Sequence, residues 1–406
     1  MPPEPGAEGD VDAQVLIKEA RARARRRRRR LALMVTGLLV VAAGVSAVVR
    51  SPSGKVAAAR RDRSGSPAAA PAVLPRFFAD TQGSGEGNGP LQIRESATGE
   101  LVWQDEAATS ADYLSALAAV GPGSFVIAST DGDTCATRLY SVRLSASGVP
   151  GVLAPLGPTL PGQLWSLAAG DGGRVIGYAI SGCSKGAAGY LGVLEVSSGR
   201  TRQWGGMSLG GESSGDLALL GQLSMSANGR LLAFAADAAP RPSGRVTAQS
   251  VRVLATDAPP GSVAERSRIV YRQALPRADA APGLAAASLS ASGTFAYLCL
   301  QSATRTRATA KIAEYGIATG RPGGVIATFT ATGAWPQVSC SSMSLDSSGR
   351  FLLVPYWVNH PAPPSDTVLQ RMARVNPATR AVSTVLVRLP GSGGMSEESG
   401  MSIVAW

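Results

Sequence analysis

One short unit recurs along the last three-quarters of this 406-residue chain and limits what the chain can fold into. Small apolar residues lead into a serine or another polar residue, a turn with glycine follows, and an apolar strand comes next. It reads LSMSANGRLLAFA at residues 223–235, SLSASGTFAYLCL at 288–300 and MSLDSSGRFLLV at 343–354. Looser copies are LAAGDGGRVIGYA (167–179), AAVGPGSFVIAS (118–129) and the C-terminal MSEESGMSIVAW. The turn glycines Gly123, Gly173, Gly229, Gly293, Gly349 and Gly400 are spaced by 50, 56, 64, 56 and 51 residues. Glycine and Asn-Gly supply the positive φ of tight hairpins, so each copy predicts two antiparallel strands.

A second unit interleaves with the first: an alternating strand, a Thr/Ser-Gly turn and another strand. It reads LQIRESATGELVWQ (91–104), LGVLEVSSGRTRQW (191–204) and IAEYGIATGRPGGVIATF (312–329). Looser forms have turns near residues 148, 257 and 379. Two hairpins in each 50–60-residue period make four strands per repeat, which is the blade of a β-propeller. The expected fold is therefore all-β, a propeller of six or seven blades over residues 74–406, preferred to a pair of sandwiches or a β-helix. The first complete unit is of the second type and the last is of the first, so the two ends of the domain should share one blade. Arg76-Phe77-Phe78-Ala79 either adds a strand to that blade or begins a seventh. Residues 113–120 suit a short helix or an alternating strand.

Ahead of the repeats lies a stretch of different character. Arg25, Arg26, Arg27, Arg28, Arg29 and Arg30 run directly into residues 31–49, whose polar side chains are only Thr36 and Ser46. Nineteen residues of helix rise about 28 Å, close to the roughly 30 Å hydrocarbon core of a bilayer. Nine Lys/Arg precede the stretch and five follow it before residue 64, which orients the N-terminus inward. The expected organisation is a cytoplasmic basic tail (1–30), a transmembrane helix (31–49), a Pro/Ala/Ser-rich linker (50–73) and an extracytoplasmic domain. The tail is either an interfacial helix on the inner leaflet or an unstructured arm. The rival to the anchor is a cleaved export signal, with Arg29-Arg30-Leu31-Ala32-Leu33 loosely like a twin-arginine signal and Val45-Ser46-Ala47 as a weak cleavage site. A buried core helix suits the arginine run poorly.

The net charge of +11 does not describe the large domain. Residues 1–63 carry 14 Lys/Arg against 6 Asp/Glu, a surplus of +8, which leaves +3 for the other 343 residues. A nucleic-acid reader needs its positive field on the folded face, so no nucleic-acid partner is expected. The expected partners are the lipid bilayer and an envelope protein or ligand. Gly (48) and Pro (27) are plentiful and charged residues reach only 17%, against about 25% in ordinary domains, which suits a turn-rich β domain.

The four cysteines form an even set, which outside the cell is expected to pair. Cys135 and Cys183 follow their turn glycines by 12 and 10 residues, in equivalent loops of adjacent repeats. Cys299 and Cys340 sit in two further adjacent repeats, so the expected pairs are 135–183 and 299–340. The competing reading is four free, buried thiols.

Catalytic chemistry has little to stand on in this sequence. His360 is the single histidine, between Asn359 and Pro361 in a Pro-rich insertion read as a solvated loop. Gly211-Glu212-Ser213-Ser214-Gly215 matches a nucleophile-elbow pattern but lies in a glycine-rich loop without the required strand and helix. Asp131-Gly132-Asp133 resembles a calcium-loop fragment and lacks the bidentate glutamate. No catalytic, cofactor-binding or metal residue is assigned, and no cofactor is expected. Binding residues are sought instead in four inserts, 237–247, 256–281, 301–309 and 357–367. These carry Arg241, Arg245, Arg266, Arg268, Arg305 and Arg307, with Tyr356 and Trp357 as exposed aromatics.

The motifs RARARRRRRRLALMV (21–35), RFFAD (76–80), LQIRESATGELVW (91–103), TRLYSVRLSASG (137–148), LEVSSGRTRQW (194–204) and SLSASGTFAYL (288–298) resemble actinobacterial membrane-anchored WD40-like or TolB-like propeller proteins. The resemblance implies the architecture and no activity. No Trp-Asp closes a repeat and no Gly-His opens one, unlike true WD40 repeats. The resulting expectation is an anchored propeller that binds or scaffolds in the envelope. The alternatives are a single-span sensor with a cytoplasmic partner, or a propeller hydrolase or lyase.

Overall fold

The computed structural model describes residues 75–81, 90–105, 112–184, 187–209, 216–238, 248–275, 283–333, 336–340, 342–346, 348–360, 367–386 and 404–405. The tail, Arg25–Arg30, the apolar stretch 31–49, the linker, Gly400 and the 211–215 pattern lie outside these residues. Among the described residues no helix is long and apolar enough to cross a membrane.

The described chain is all-β apart from two single turns of helix. The first sheet holds β1 (Phe77–Thr81), β2 (Leu91–Glu95) and β3 (Leu101–Gln104). The second is β4 (Asp112–Gly121), β5 (Ser124–Asp131), β6 (Ala136–Arg143) and β7 (Ala154–Pro161). The third is β8 (Gln163–Gly170), β9 (Val175–Ser181), β10 (Gly189–Glu195) and β11 (Arg200–Ser208). The fourth contains β12 (Leu217–Met225), β13 (Leu231–Ala238) and β14 (Ala248–Ala255). After β15 (Gly261–Ser262) and the one-turn helix α1 (Val263–Arg266), it ends with β16 (Arg268–Ala274). The fifth is β17 (Gly283–Leu289), β18 (Phe295–Ala303), β19 (Arg307–Gly316) and β20 (Pro322–Thr332). In the sixth, β21 (Gln337–Cys340) and β22 (Ser344–Leu345) both pair with β23 (Leu352–His360), followed by β24 (Thr367–Val375) and β25 (Val382–Leu386). The last strand, β26 (Val404–Ala405), returns to pair with β1 and completes the first sheet. Each sheet is an antiparallel meander, and a short parallel contact of β11 with β12 joins the third to the fourth. This succession of four-stranded meanders is the strand arrangement of a β-propeller.

The hydrophobic pattern explains the stacking. The second strands β5, β9 and β13 are nearly continuous apolar runs, buried on both faces. Outer strands such as β7 and β16 are mostly exposed. Five apolar clusters are described, and each lies mainly between two successive sheets. Phe77 and Ile93 meet Phe125 and Ile127, Leu139 and Leu160 meet Ile176 and Tyr178, and Trp204 and Met207 meet Leu232 and Phe234. Val251 and Val270 meet Leu284 and Leu298, and Ile312 and Phe329 meet Val354 and Tyr356. The disulfides follow the same order, because Cys135–Cys183 ties the second sheet to the third and Cys299–Cys340 ties the fifth to the sixth. These are the pairs that the repeat spacing selects.

Two open alternatives are decided, and several local expectations are corrected. Residues 113–120 are strand, within β4. Arg76-Phe77-Phe78-Ala79 joins the shared sheet and begins no seventh one, because β2 and β26 flank β1. β26 takes the end place of that sheet and β1 the second. The strand expected straight after the turn at 257 is displaced. Gly261-Ser262 pairs with β11, and β16 is the fourth strand. The backbone of His360 ends β23 opposite Thr367, where a loop was expected.

Two turn chemistries repeat. In the first, Ser226, Ser290 and Asp346 occupy one position, three residues before Gly229, Gly293 and Gly349. Each side chain accepts the N–H of the residue five on, Leu231, Phe295 or Phe351, at 3.0–3.1 Å. Each backbone carbonyl accepts the glycine N–H at 2.8–2.9 Å. In the second, the hydroxyls of Thr98, Ser198, Thr319 and Thr379 each accept the N–H two residues on. The residue between is left-handed: Gly99, Gly199 and Gly320, but Arg380 at φ 60° in the sixth sheet.

Arg380→Gly should therefore raise stability by about 1 kcal/mol, the usual cost of a left-handed side-chain-bearing residue. Gly349→Ala should lower it by about 2 kcal/mol or more. It meets the same backbone penalty at φ 66°, and its Cβ would lie 2.5 Å from that of Ala291. Urea midpoints of the two variants check both signs.

Candidate functional site

The first strands of successive sheets lie next to one another: β26 beside β4, β4 beside β8, β8 beside β12, β12 beside β17, and β17 beside β21 and β22. Their ends and the turns that follow enclose a cavity of about 300 Å³. Residues 117–121, 167–173, 222–225 and 343–346 line it, with Ala227, Ala291, Ser348 and Gly349, so five sheets contribute.

Small residues and hydroxyls hold these strands close. The Ser166 Oγ accepts the N–H of Leu223 at 2.8 Å, and the Ser224 Oγ accepts the N–H of Leu289 at 2.9 Å. The turns are joined through the backbone, since Asp171 N–H donates to Ala227 O at 2.6 Å and Ala227 N–H to Ala291 O at 2.9 Å. Gly170 fits against the next turn, where a Cβ would lie 2.7 Å from Gly229 Cα and Ser226 O. Bulges at 164–166, 220–224 and 284–286 fall in three first strands, β8, β12 and β17.

The lining is apolar and polar in about equal parts. Its side-chain hydrogen-bonding groups include Gln222, Ser224, Ser344 and Ser348, and its carboxylates are Asp171 and Asp346. The Ser344 Oγ is buried and makes no hydrogen bond to a described residue. Asp171 is held by Arg174 at 2.7 Å. The Asp346 Oδ1 accepts the N–H groups of Arg350 and Phe351, and its Oδ2 accepts the Ser348 hydroxyl. Both acids are thus engaged in their own turns. The arrangement suits recognition of a small, largely uncharged group.

Other sequence candidates fall elsewhere. The Asp131 carboxylate accepts the Thr134 hydroxyl and the N–H groups of Thr134 and Asp133. The Thr134 hydroxyl is the largest of the influences that hold it below the ordinary carboxylate value. Asp131 is thus engaged in its own turn. Among the described residues no three His, Cys, Asp or Glu side chains gather to hold a metal ion. Ser213 lies outside the described residues, as do the His360 side chain and Arg241 and Arg245.

Tyr356, expected as an exposed aromatic, is buried and stacks on Phe329 at 4.3 Å, while Trp357 is half-buried. They lie in β23, because the insert expected from 357 starts as strand. Arg268 donates to Ile317 O, and Arg307 opens β19. Arg266 is in α1 and Arg305 in the turn before β19.

Sequence reasoning missed Gln222, Ser224, Ser344 and Asp346 as cavity residues. A signal was present in the polar positions just before each turn glycine, but it reads equally as strand alternation.

No family model and no curated protein matches the chain. Among solved structures it is similar to a periplasmic gluconolactonase of Pseudomonas aeruginosa, with 16% identity, TM-score 0.42, and 78% of this chain and 96% of that one covered. A putative 6-phosphogluconolactonase from Bacteroides uniformis gives 15% identity, TM-score 0.40, and coverages of 77% and 97%. An oligogalacturonate lyase from Vibrio parahaemolyticus gives 7%, 0.36, and 69% and 78%. Likeness this distant assigns no activity, and the architecture above rests on strand pairing.

Asp346→Ala should cost about 1–3 kcal/mol, since it removes the acceptor of buried turn N–H groups. Asp346→Ser should recover most of that loss, because Ser226 and Ser290 perform the same task in sister turns. Chemical denaturation of the pair checks it. Burial also pushes the Tyr178 and Tyr297 hydroxyls up to about 12. A raised phenol pKa leaves stability intact below pH 10 and removes it as pH climbs from about 10 to 12. Urea midpoints should therefore hold from pH 7 to 9 and fall across that window, less steeply in Tyr178→Phe.

Proposed function

We propose that this chain is a membrane-anchored, extracytoplasmic β-propeller of six blades that serves as a binding or scaffold module in the cell envelope. Residues 31–49 are the span, the tail with Arg25–Arg30 stays in the cytoplasm, and residues 50–73 tether the propeller outside. The observation that carries this reading is the pair of disulfides between neighbouring sheets, since such bonds persist in oxidising compartments. The six meanders and the return of β26 to β1 support a closed ring of six, the arrangement that leaves few free sheet edges.

The axial cavity supports binding over catalysis. A hydrolase or lyase needs a group free to move a proton, and both cavity carboxylates are engaged by their own turns. A neutral hydroxyl and amide lining favours a small uncharged ligand or a partner side chain.

Cysteine-accessibility labelling of intact cells tests the topology. A cysteine introduced at Ser66 should react with an impermeant maleimide, and one at Gln14 should not. Mass spectrometry without reductant should find both native pairs linked. Labelling at neither position, with reduced native thiols, would place the domain in the cytoplasm and overturn the proposal.

A further inference from the structure

A cluster of exposed aliphatic side chains surrounds the point where the described chain begins. Leu101 and Val102 of β3 and Val149, Val152 and Leu153 of the β6–β7 loop range from 36% exposed at Val102 to 92% at Val152. The two groups adjoin, because a Cβ on Gly148 would lie 2.9 Å from Val102 Cγ1 and 2.8 Å from Phe77 Cε1. The Arg76 Nη1 ties the start of β1 to the loop by donating to Ala146 O at 3.0 Å. Backbone bonds from Ser145 N–H to Val149 O and from Gly151 N–H to Arg143 O give the loop a fixed shape. Arg76 and Arg143, both exposed, stand beside the aliphatic group, with the Glu95 carboxylate 4.0 Å from the Arg76 guanidinium.

We infer that this face is a lipid-contacting surface, seated in the headgroup region of the bilayer that holds the anchor; the inference rests on the anchored reading above. The patch is aliphatic, with Arg143 and the Arg76–Glu95 pair at its fringe, and aliphatic side chains flanked by arginines suit an interfacial lipid contact. A protein-binding hot spot would instead be enriched in aromatic side chains. The chain also leaves at this patch. Residue 75 follows residue 49 by 26 positions, and a tether of that length spans on the order of 30 Å. That keeps the patch at high effective concentration near the membrane, so a small apolar contact suffices. The axial cavity is bounded by turns at this same end of the sheets, so the contact would place its mouth toward the lipid.

The test uses the full chain reconstituted in vesicles of phosphatidylcholine and phosphatidylglycerol at about three to one. An environment-sensitive fluorophore is placed on a cysteine introduced at Ser147 in the patch loop, or at Thr306 in the β18–β19 turn at the opposite end. Lipids spin-labelled near the headgroup should quench the first at least twofold more than the second. The double substitution Val152→Glu and Leu153→Glu should bring Ser147 quenching down to the Thr306 level without shifting Tm.

Equal quenching at both sites in protein that floats with the vesicles would overturn the inference and leave the anchor intact. So would Ser147 shielding that disappears on diluting the protein within the membrane, which would mark contact with a second copy. Failure of the full chain to float would remove the anchored reading and this one together.

Discussion

No sheet in this domain can bury its own faces; each of the first five packs against the next one along the chain. The pairing of Leu139 and Leu160 with Ile176 and Tyr178, and of Val251 and Val270 with Leu284 and Leu298, is this one contact repeated. A four-stranded sheet alone would leave strands such as β13, with Leu232 to Ala236 fully buried, open to water on both sides. The constraint has a corollary at the ends. The first sheet needs an inner strand, and β26 supplies it from the far end of the domain. A buried ion pair, Arg94 with Asp80 at 3.6 Å, lies in that sheet, and Arg94 also donates to Gln92 and to Gly99 O. The shared sheet is thus held by side-chain chemistry as well as by its ladder.

How closely the sheets approach is decided at their turns. Gly229 lies under Val175, Gly293 against Leu231 and Gly349 against Ala291, so each turn glycine abuts a neighbouring sheet. The side chains that shape these turns, Ser226, Ser290 and Asp346, spend much of their hydrogen-bonding capacity on the backbone. The cavity left between the turns is consequently small and nearly neutral. The same turns therefore set both the spacing of the sheets and the lining of the cavity.

Much of the fold was legible because its signals are local. Asn228-Gly229 and the Ser-Gly and Thr-Gly pairs mark hairpins with no reference to the rest of the chain, and their interleaving set four strands per repeat. The cysteine pairs followed from the equivalent loops of Cys135 and Cys183 and from the adjacent repeats that hold Cys299 and Cys340. What failed was also instructive. Tyr356 looked exposed because prolines and polar residues follow it, yet β23 runs through it and buries it against Phe329. The strand after Asp257 was misplaced because the Ser262-capped turn of α1 intervenes, and a four-residue helix leaves no periodicity to detect.

The sequence by itself determined the repeat, the hairpin turns, the preferred cysteine partners and the concentration of positive charge before residue 64. Each depends on residue identity and spacing over a few positions, or over one period. Only the tertiary structure decided which strand closes the first sheet, which groups meet at the axis and which aliphatic side chains remain uncovered. The β26 pairing, the cavity between residues 117–121 and 343–346, and the patch of Leu101 with Val152 join positions about 50 to 325 residues apart. Such contacts are set by how the sheets stack, and no local pattern encodes them.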